Sequence, residues 1–405
     1  MPHRTDRREI PPTAGLPLQF GDLYGRADPL PHALAPFLGT ADALTTCSGT
    51  AALVVALRAL ASISERREVI VPAYTCPLVA IAVAHCHLQL VLCDTLPGHF
   101  ALDPESLQRL AGPETLAVVP AHLGGCPVDL GEVCAIAHAV GARVIEDAAQ
   151  ALGARHADGT PAGMAGDIGL YSLAAGKGLS TYEGGLLVTR DANLRDVLHA
   201  NARDTLPQRF GWEFRRSIEL LGYGLLYRPR GLRLAYGAPL RRALRRGDPV
   251  DAVGDRFPME IPLHRLGRWR QRVAARAAKR LPAFLHRTRT QAMQRRARLG
   301  ALPGLRVLDT PPGAQGTWPF FLLLCDDAAT RDTIMAALWT SGLGVSRLFI
   351  HALPDYADLT TILPAATTPH ARDFAARSFT LTNSPWLDDA RFERVVRQLR
   401  AKLSG

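Results

Sequence analysis

The chain has 405 residues, 47% of them apolar, and a net charge of +10; this length exceeds one ordinary core and points to two domains with ample apolar content to bury. No stretch reaches membrane-spanning length without charge, and the basic opening MPHRTDRREIPPTAGLPL lacks the apolar run of a secretory signal. Seven cysteines, an odd number with no C-x-x-C pair, predict a protein of the reducing cytoplasm with no structural zinc or other metal site.

From about residue 40 to 190, helical apolar spacing alternates with short aliphatic runs. GTAALVVALRAL (49–60) predicts a helix, EVIVPAY (68–74) a strand, PLVAIAVAHC (77–86) a helix and LQLVLCD (88–94) a strand. TLAVVPAHL (115–123) predicts a strand, DLGEVCAIAHAVG (129–141) a helix, and ARVIEDAAQ (142–150), IGLYSL (168–173) and GGLLVTR (184–190) three further strands. Strand and helix in regular turn predict an α/β fold with a mainly parallel sheet between helices, in which ligands lie beyond the carboxyl ends of strands.

Residues 205–255 break this rhythm with Pro-, Gly- and Arg-rich text, and 260–300 read as a long Arg/Ala/Leu helical pattern. WPFFLLLC (318–325) then predicts a strand, ATRDTIMAALWTSG (329–342) a helix, and DDARFERVVRQLRAKL (388–403) a terminal helix whose acidic start and basic end suit the helix dipole. The expected division is a large domain over 1–255, carrying the insert, and a small α+β domain over 256–405.

The charge is regional. Between Arg209 and Arg298 there are twenty-two Arg and one Lys against six acids, so the rest of the chain is acidic. The segment 213–246 interleaves Leu, Tyr and Arg. It suits an amphipathic element on an anionic membrane surface, a cationic patch for a nucleotide diphosphate, or a helical excursion packed on its own subunit or a partner. Nucleic acid is not an expected partner, since no aromatic stacking platform accompanies the charge.

Three segments carry candidate chemistry. CSGTAALVVAL (47–57) places Ser, Gly and Thr before a helix, which makes a phosphate cradle of backbone N–H groups or, more simply, an ordinary N-cap. ARVIEDAAQALG (142–153) ends a buried strand with Glu146 and Asp147; a carboxylate there can pair with a protonated pyridine nitrogen, and Gln150 can reach a ring hydroxyl, although caps and salt bridges use the same residues. GDIGLYSLAAGKGLSTYEGGLLVT (166–189) holds Ser172 and, five residues on, Lys177 between two glycines. Small neighbours leave room for a ring beside a Schiff-base lysine, whereas most lysines sit in solvent. The order of the three segments, each at a strand junction, points to pyridoxal phosphate.

These segments resemble the DegT/DnrJ/EryC1/StrS group of sugar aminotransferases, which are fold-type I pyridoxal-phosphate enzymes. The resemblance runs through SGTAAL (48–53), EVIVPAYTCPLVAIAVA (68–84), DPESL (103–107), 118–154 and 166–189, and more faintly through 318–403. It implies a seven-stranded, mainly parallel large domain and a small C-terminal domain in a homodimer. It also implies Lys177 as the cofactor-holding, proton-transferring lysine, Asp147 at the pyridine nitrogen, Gln150 at the ring oxygen, Gly49, Thr50 and Ser172 at the phosphate, and Ala149 on one ring face. The implied reaction moves an amino group from glutamate to a keto group of a nucleotide-linked sugar, as in polysaccharide biosynthesis. Alternatives are a sugar dehydratase or lyase, and a non-catalytic regulatory protein; Lys177, where the dehydratase branch carries His, opposes the first.

The sequence departs from the group at two points. Cys76 stands where an aromatic residue usually stacks on the ring, unless Tyr74 or another ring substitutes, and 200–260 show no match to the Asn that reaches the partner subunit's phosphate. His122, Tyr182 and Glu183 are candidates for the substrate side; a lone buried His or a hairpin-closing Tyr-Glu pair explains them equally.

Overall fold

The computed structural model describes residues 8–403; the first seven residues of the basic N-terminal text lie outside them. Two sheets organise the chain. The larger is built from β1 (Leu44–Thr46), β2 (Glu68–Pro72), β3 (Gln89–Cys93), β4 (Thr115–Val118), β5 (Arg143–Asp147), β6 (Ile168–Ser172) and β7 (Gly185–Val188). Its strand order is β1-β7-β6-β5-β4-β2-β3. Strands β3, β2, β4, β5 and β6 pair in parallel, and β7 runs antiparallel between β6 and β1. The smaller sheet, β8 (Leu305–Val307), β9 (Phe320–Cys325), β10 (Val345–Ser346) and β11 (Ser378–Thr382), is antiparallel in the order β10-β11-β9-β8. The fold is the fold-type I arrangement expected from the sequence.

The parallel strands read as unbroken apolar text because helices cover both faces of the sheet. These are α1 (Leu30–Leu38), α2 (Gly49–Ser62), α3 (Pro77–His85), α4 (Pro104–Leu110), α5 (Gly131–Ala139) and α6 (Ala192–Thr205). Helix α2 is the most deeply placed, with nine fully buried apolar residues between Ala51 and Leu60. Its apolar face therefore leaves no polar stripe, as expected of a helix enclosed on all sides.

The Pro- and Gly-rich insert is helical, as the helical-excursion reading of 213–246 allowed: α7 (Phe210–Leu226), α8 (Pro229–Leu232), α9 (Ala238–Arg245) and α10 (Pro249–Val253). Pro229, Pro239 and Pro249 sit at the first or second position of α8, α9 and α10, where a missing N–H costs nothing. Residues 260–300 form two helices, not one, α11 (Arg268–Ala278) and α12 (Leu281–Gly300). Pro282, in the first turn of α12, cannot continue the ladder of α11. Both helices join the core of the large sheet, where Val273, Ala277, Leu281 and Phe284 pack with Leu34, Tyr171 and Leu186. Helices α13 (Ala328–Leu338), α14 (Pro369–Arg377) and α15 (Asp389–Leu403) flank the second sheet. Among the described residues no helix is long and apolar enough to cross a membrane.

Candidate active site

Strands β5 and β6 end side by side, and their carboxyl ends open into a cavity of about 600 Å³ walled by both sheets' loops and by the insert. Lys177 reaches it from the connection between β6 and β7. That connection is pinned by Leu173 N–H to Gly184 O (2.7 Å), Ala175 N–H to Tyr182 O (2.8 Å) and Lys177 N–H to Ala174 O (3.1 Å). Gly176 takes a φ of 80°, a conformation that favours glycine, and its carbonyl accepts from Thr13 Oγ1 (2.6 Å). Burial lowers the Lys177 pKa below the usual lysine value, against the opposing pull of Cys76 and Asp147. A desolvated amine of this kind is a better nucleophile at neutral pH. The chain holds three lysines; Lys279 and Lys402 are exposed, and Lys177 alone lines this cavity.

Asp147 ends β5 and faces the same space. Its Oδ1 accepts the Ala149 N–H at 2.9 Å. Burial pushes the carboxyl pKa up, while that N–H, Lys177 and His122 pull it down. A positive partner in the cavity would stabilise the ionised form. Gln150 spends its Oε1 on the Gly124 N–H (2.8 Å), which leaves its amide nitrogen as a donor at the cavity wall. Across from these, Ser48 caps α2 by accepting from Ala51 N–H (3.0 Å), and Gly49 and Thr50 form the first turn. A Cβ on Gly49 would come within 3.0 Å of Ser172 Cβ, so glycine is what allows the helix N-terminus to approach the end of β6. Ser48, Gly49, Thr50 and Ser172 all line the cavity there, where the helix N-terminus offers unpaired N–H groups and its positive dipole end to an anion.

The acid pair at 146–147 divides its work. Glu146 is fully buried and never reaches the cavity. Its Oε1 accepts from His122 Nε2 (2.7 Å), His156 Nε2 (2.8 Å) and Gly163 N–H (2.6 Å), and its Oε2 from Ala165 N–H (2.7 Å) and Gly166 N–H (2.9 Å). Burial alone would raise its pKa, but the His122 and His156 hydrogen bonds outweigh it and hold the carboxyl below the usual range. Although His122, Glu146 and His156 cluster closely enough to suit a metal ion, His122 Nδ1 accepts the Val128 N–H (3.0 Å). Its proton is therefore on Nε2, donated to Glu146, and that nitrogen has no lone pair to give. His122 borders the cavity with both ring nitrogens already engaged.

Cys76 lines the cavity at the N-cap of α3; burial pushes its thiol up to about 12, which keeps it protonated and unreactive. Tyr74 does not take its place, being buried edge-on against Phe349 and Phe374 at 5.5 and 4.8 Å. The rings that do face the cavity are Phe257 and Phe349. Glu183 lines it in an ion pair with Arg216, whereas Tyr182 stands behind that pair, packed edge-on to Tyr223 at 6.3 Å. Arg216 of α7, one arginine of the basic segment 213–246, and Asp255, just beyond α10, which no sequence pattern marked, are also wall residues. Asp255 Oδ2 accepts from Tyr356 Oη (2.7 Å) and Ile350 N–H (3.0 Å), and burial raises its carboxyl to about 6. Both lie in text without strand or cap signals, and only the fold brings them to Lys177.

The sequence profile of the DegT/DnrJ/EryC1/StrS aminotransferase family matches residues 19–217 and 272–400. The chain belongs to that family. It is accordingly a pyridoxal-phosphate-dependent aminotransferase, and the cavity fits the cofactor: an amine of lowered pKa, a buried carboxylate and a cradle that a Cβ at Gly49 would crowd. It is 28% identical to the erythromycin biosynthesis sensory transduction protein EryC1 of Saccharopolyspora erythraea, over 91% of this chain and 87% of that one. To the dTDP-3-amino-3,4,6-trideoxy-alpha-D-glucose transaminase of Streptomyces venezuelae it is 27% identical, over 90% of this chain and 84% of that one. The crystal structure of DesI with its TDP-sugar product superposes with a TM-score of 0.75 at 24% identity, covering 98% of this chain and 94% of that one.

Proposed function

We propose that this aminotransferase transfers the amino group of glutamate to a keto group on a nucleotide-linked sugar, working as a homodimer in the cytoplasm. The observation that carries the reading is the convergence of Lys177, Asp147 and the Gly49/Thr50/Ser172 cradle on one cavity whose wall also carries Glu183 and Arg216. Relatives whose names give a dTDP-amino-sugar transaminase and a GDP-perosamine synthase support the nucleotide-sugar class.

Pyridoxal phosphate, when bound, supplies an electrophilic carbonyl and an electron-withdrawing ring. Lys177 Nζ would hold that carbonyl and would be the base placed to move the proton at the substrate carbon; burial lowers its pKa below the usual lysine value, which favours the neutral amine that this role needs. Asp147 would stand beside the ring nitrogen, whose positive charge would favour the ionised carboxylate against the upward push of burial, and Gln150 Nε2 would be the donor for the ring oxygen. Gly49, Thr50 and Ser172 anchor the phosphate. Arg216, paired with Glu183 at the outer wall, is the cation available to a donor carboxylate or a sugar diphosphate.

Incubating the holoenzyme with glutamate and a panel of nucleotide keto-sugars tests the reading. Formation of 2-oxoglutarate together with an amino-sugar nucleotide is expected. Turnover only with a non-nucleotide ketone, or only with glutamine as donor, would contradict it.

A further inference from the structure

Helix α7 leaves its apolar face in solvent. Phe210, Phe214, Ile218, Leu221 and Leu225 are 81%, 69%, 53%, 40% and 77% exposed. At about 100° per residue these five positions fall within an arc of about 80°, so they form one stripe along the helix. Leu226 and Leu234, also exposed, extend it toward α8 and beyond. Isolated exposed leucines are ordinary, but a contiguous apolar surface of this size marks an interaction site.

The charge around the stripe says what covers it. Between 209 and 247 the acids are Glu213 and Glu219; Glu213 is paired with Arg270, and Glu219 with Arg215 and Arg216. Arg209, Arg228, Arg230 and Arg242 are exposed and make no ion pair among the described residues. At the Phe210 end, a cleft of about 480 Å³ gathers Arg203, Arg209, Arg265 and Arg268. A second copy docking through the same stripe would set these unpaired arginines against their own kind, which is costly. An anionic bilayer offers hydrocarbon for the stripe and phosphate for the arginines at once.

We propose that α7 and the segment following it form a docking face for an anionic lipid surface, with the stripe in the acyl boundary and the arginine-lined cleft taking a lipid phosphate. Because Arg216 of α7 and Val253, Gly254 and Asp255 at the end of the same insert line the catalytic cavity, docking brings that wall of the cavity close to the membrane plane. The proposal stands on the surface of the insert and does not depend on the identity of the sugar.

The test is flotation of the full-length holoenzyme with vesicles of phosphatidylcholine alone or with about a third phosphatidylglycerol. Binding to the anionic vesicles, no binding to the neutral ones, and release at about 1 M salt are expected. The triple variant Phe214→Glu/Ile218→Glu/Leu225→Glu should lose more than about tenfold in binding, and Arg228→Glu/Arg230→Glu at least as much as about fivefold per residue implies. Both should retain the wild-type response of the bound cofactor to glutamate, a readout that fails separately if the catalytic reading is wrong. Should the triple variant not fold, Leu225→Glu alone, at the solvent end of the helix, carries the same comparison. The proposal is overturned if wild-type protein ignores anionic vesicles, if the stripe variants bind them undiminished, or if those variants instead convert a dimer to monomers, which would give the stripe to a second copy.

Discussion

Lys177 and Asp147 separate holding the cofactor from holding charge. Removing the amine in Lys177→Ala should lower the glutamate half-reaction by about 10²- to 10⁴-fold, the usual contribution of a positioned base, with thermal stability little changed because the side chain makes no structural hydrogen bond. Asp147→Ala should slow the same step by about 10²-fold or more through loss of a preorganised charge; stopped-flow measurement of the cofactor absorbance reads both. Asp255 is an acid of the cavity wall whose titration burial moves toward neutrality. Its folded-state pKa of about 6 lies above the ordinary 3.8, so the folded state binds its proton more tightly. The stability this contributes is fully present below about pH 4 and is lost as pH rises through 6, on the order of 3 kcal/mol at most. Denaturant titrations at pH 4 to 7 should show that slope in the wild-type protein and a shallower one in Asp255→Asn. An unchanged slope would remove Asp255 as its source.

At the scale of elements, the insert is tied to the catalytic hairpin by one buried cation. Arg270 of α11 is completely buried, donates Nε and Nη2 to Glu213 of α7 at 2.8 and 2.5 Å, and donates Nη1 to the carbonyls of Thr181 and Glu183. Glu213→Ala would leave that guanidinium uncompensated and should cost about 3–5 kcal/mol, measured as a shift in urea midpoint; a cost below about 1 kcal/mol would mean the pair is solvated. Much of this level was legible in the sequence where a pattern is local. The α2 cap, the carboxyl ends of β5 and β6 and the glycine-flanked lysine each follow from a few adjacent residues and were read in place. Three-residue β1 and two-residue β10 are too short to show an alternation, and β11 (SFTLT) follows α14 without a residue between them to mark its start. The helices of the insert fit the helical excursion that its Leu, Tyr and Arg text allowed, but its prolines hid the boundaries: at the first turn of α8, α9 and α10 proline starts a helix rather than breaking one. Asp255 and Phe349 were not legible: nothing in their own text distinguishes them, and only tertiary packing brings them to the cavity of Lys177.

For the whole molecule, the uneven charge of the sequence becomes a surface. In a chain that is acidic outside 209–298 and strongly basic within it, Arg209, Arg228, Arg230 and Arg242 are exposed on the insert, which borders the catalytic cavity through Arg216. Electrostatic attraction of an anionic substrate to such a site depends on ionic strength. Raising salt from about 0.05 to 0.5 M should therefore raise the KM for a nucleotide sugar several-fold while leaving kcat nearly unchanged; a kcat effect alone would place the salt dependence in the chemical step.

The central claim is that one of three lysines carries the chemistry. Borohydride reduction of the freshly purified holoenzyme fixes the cofactor to whichever lysine holds it, and peptide mass spectrometry locates the added mass. The account predicts the label on the peptide containing Lys177 and none in Lys177→Ala. Label on Lys279 or Lys402, or no label at all on a protein that carries the cofactor, would contradict it.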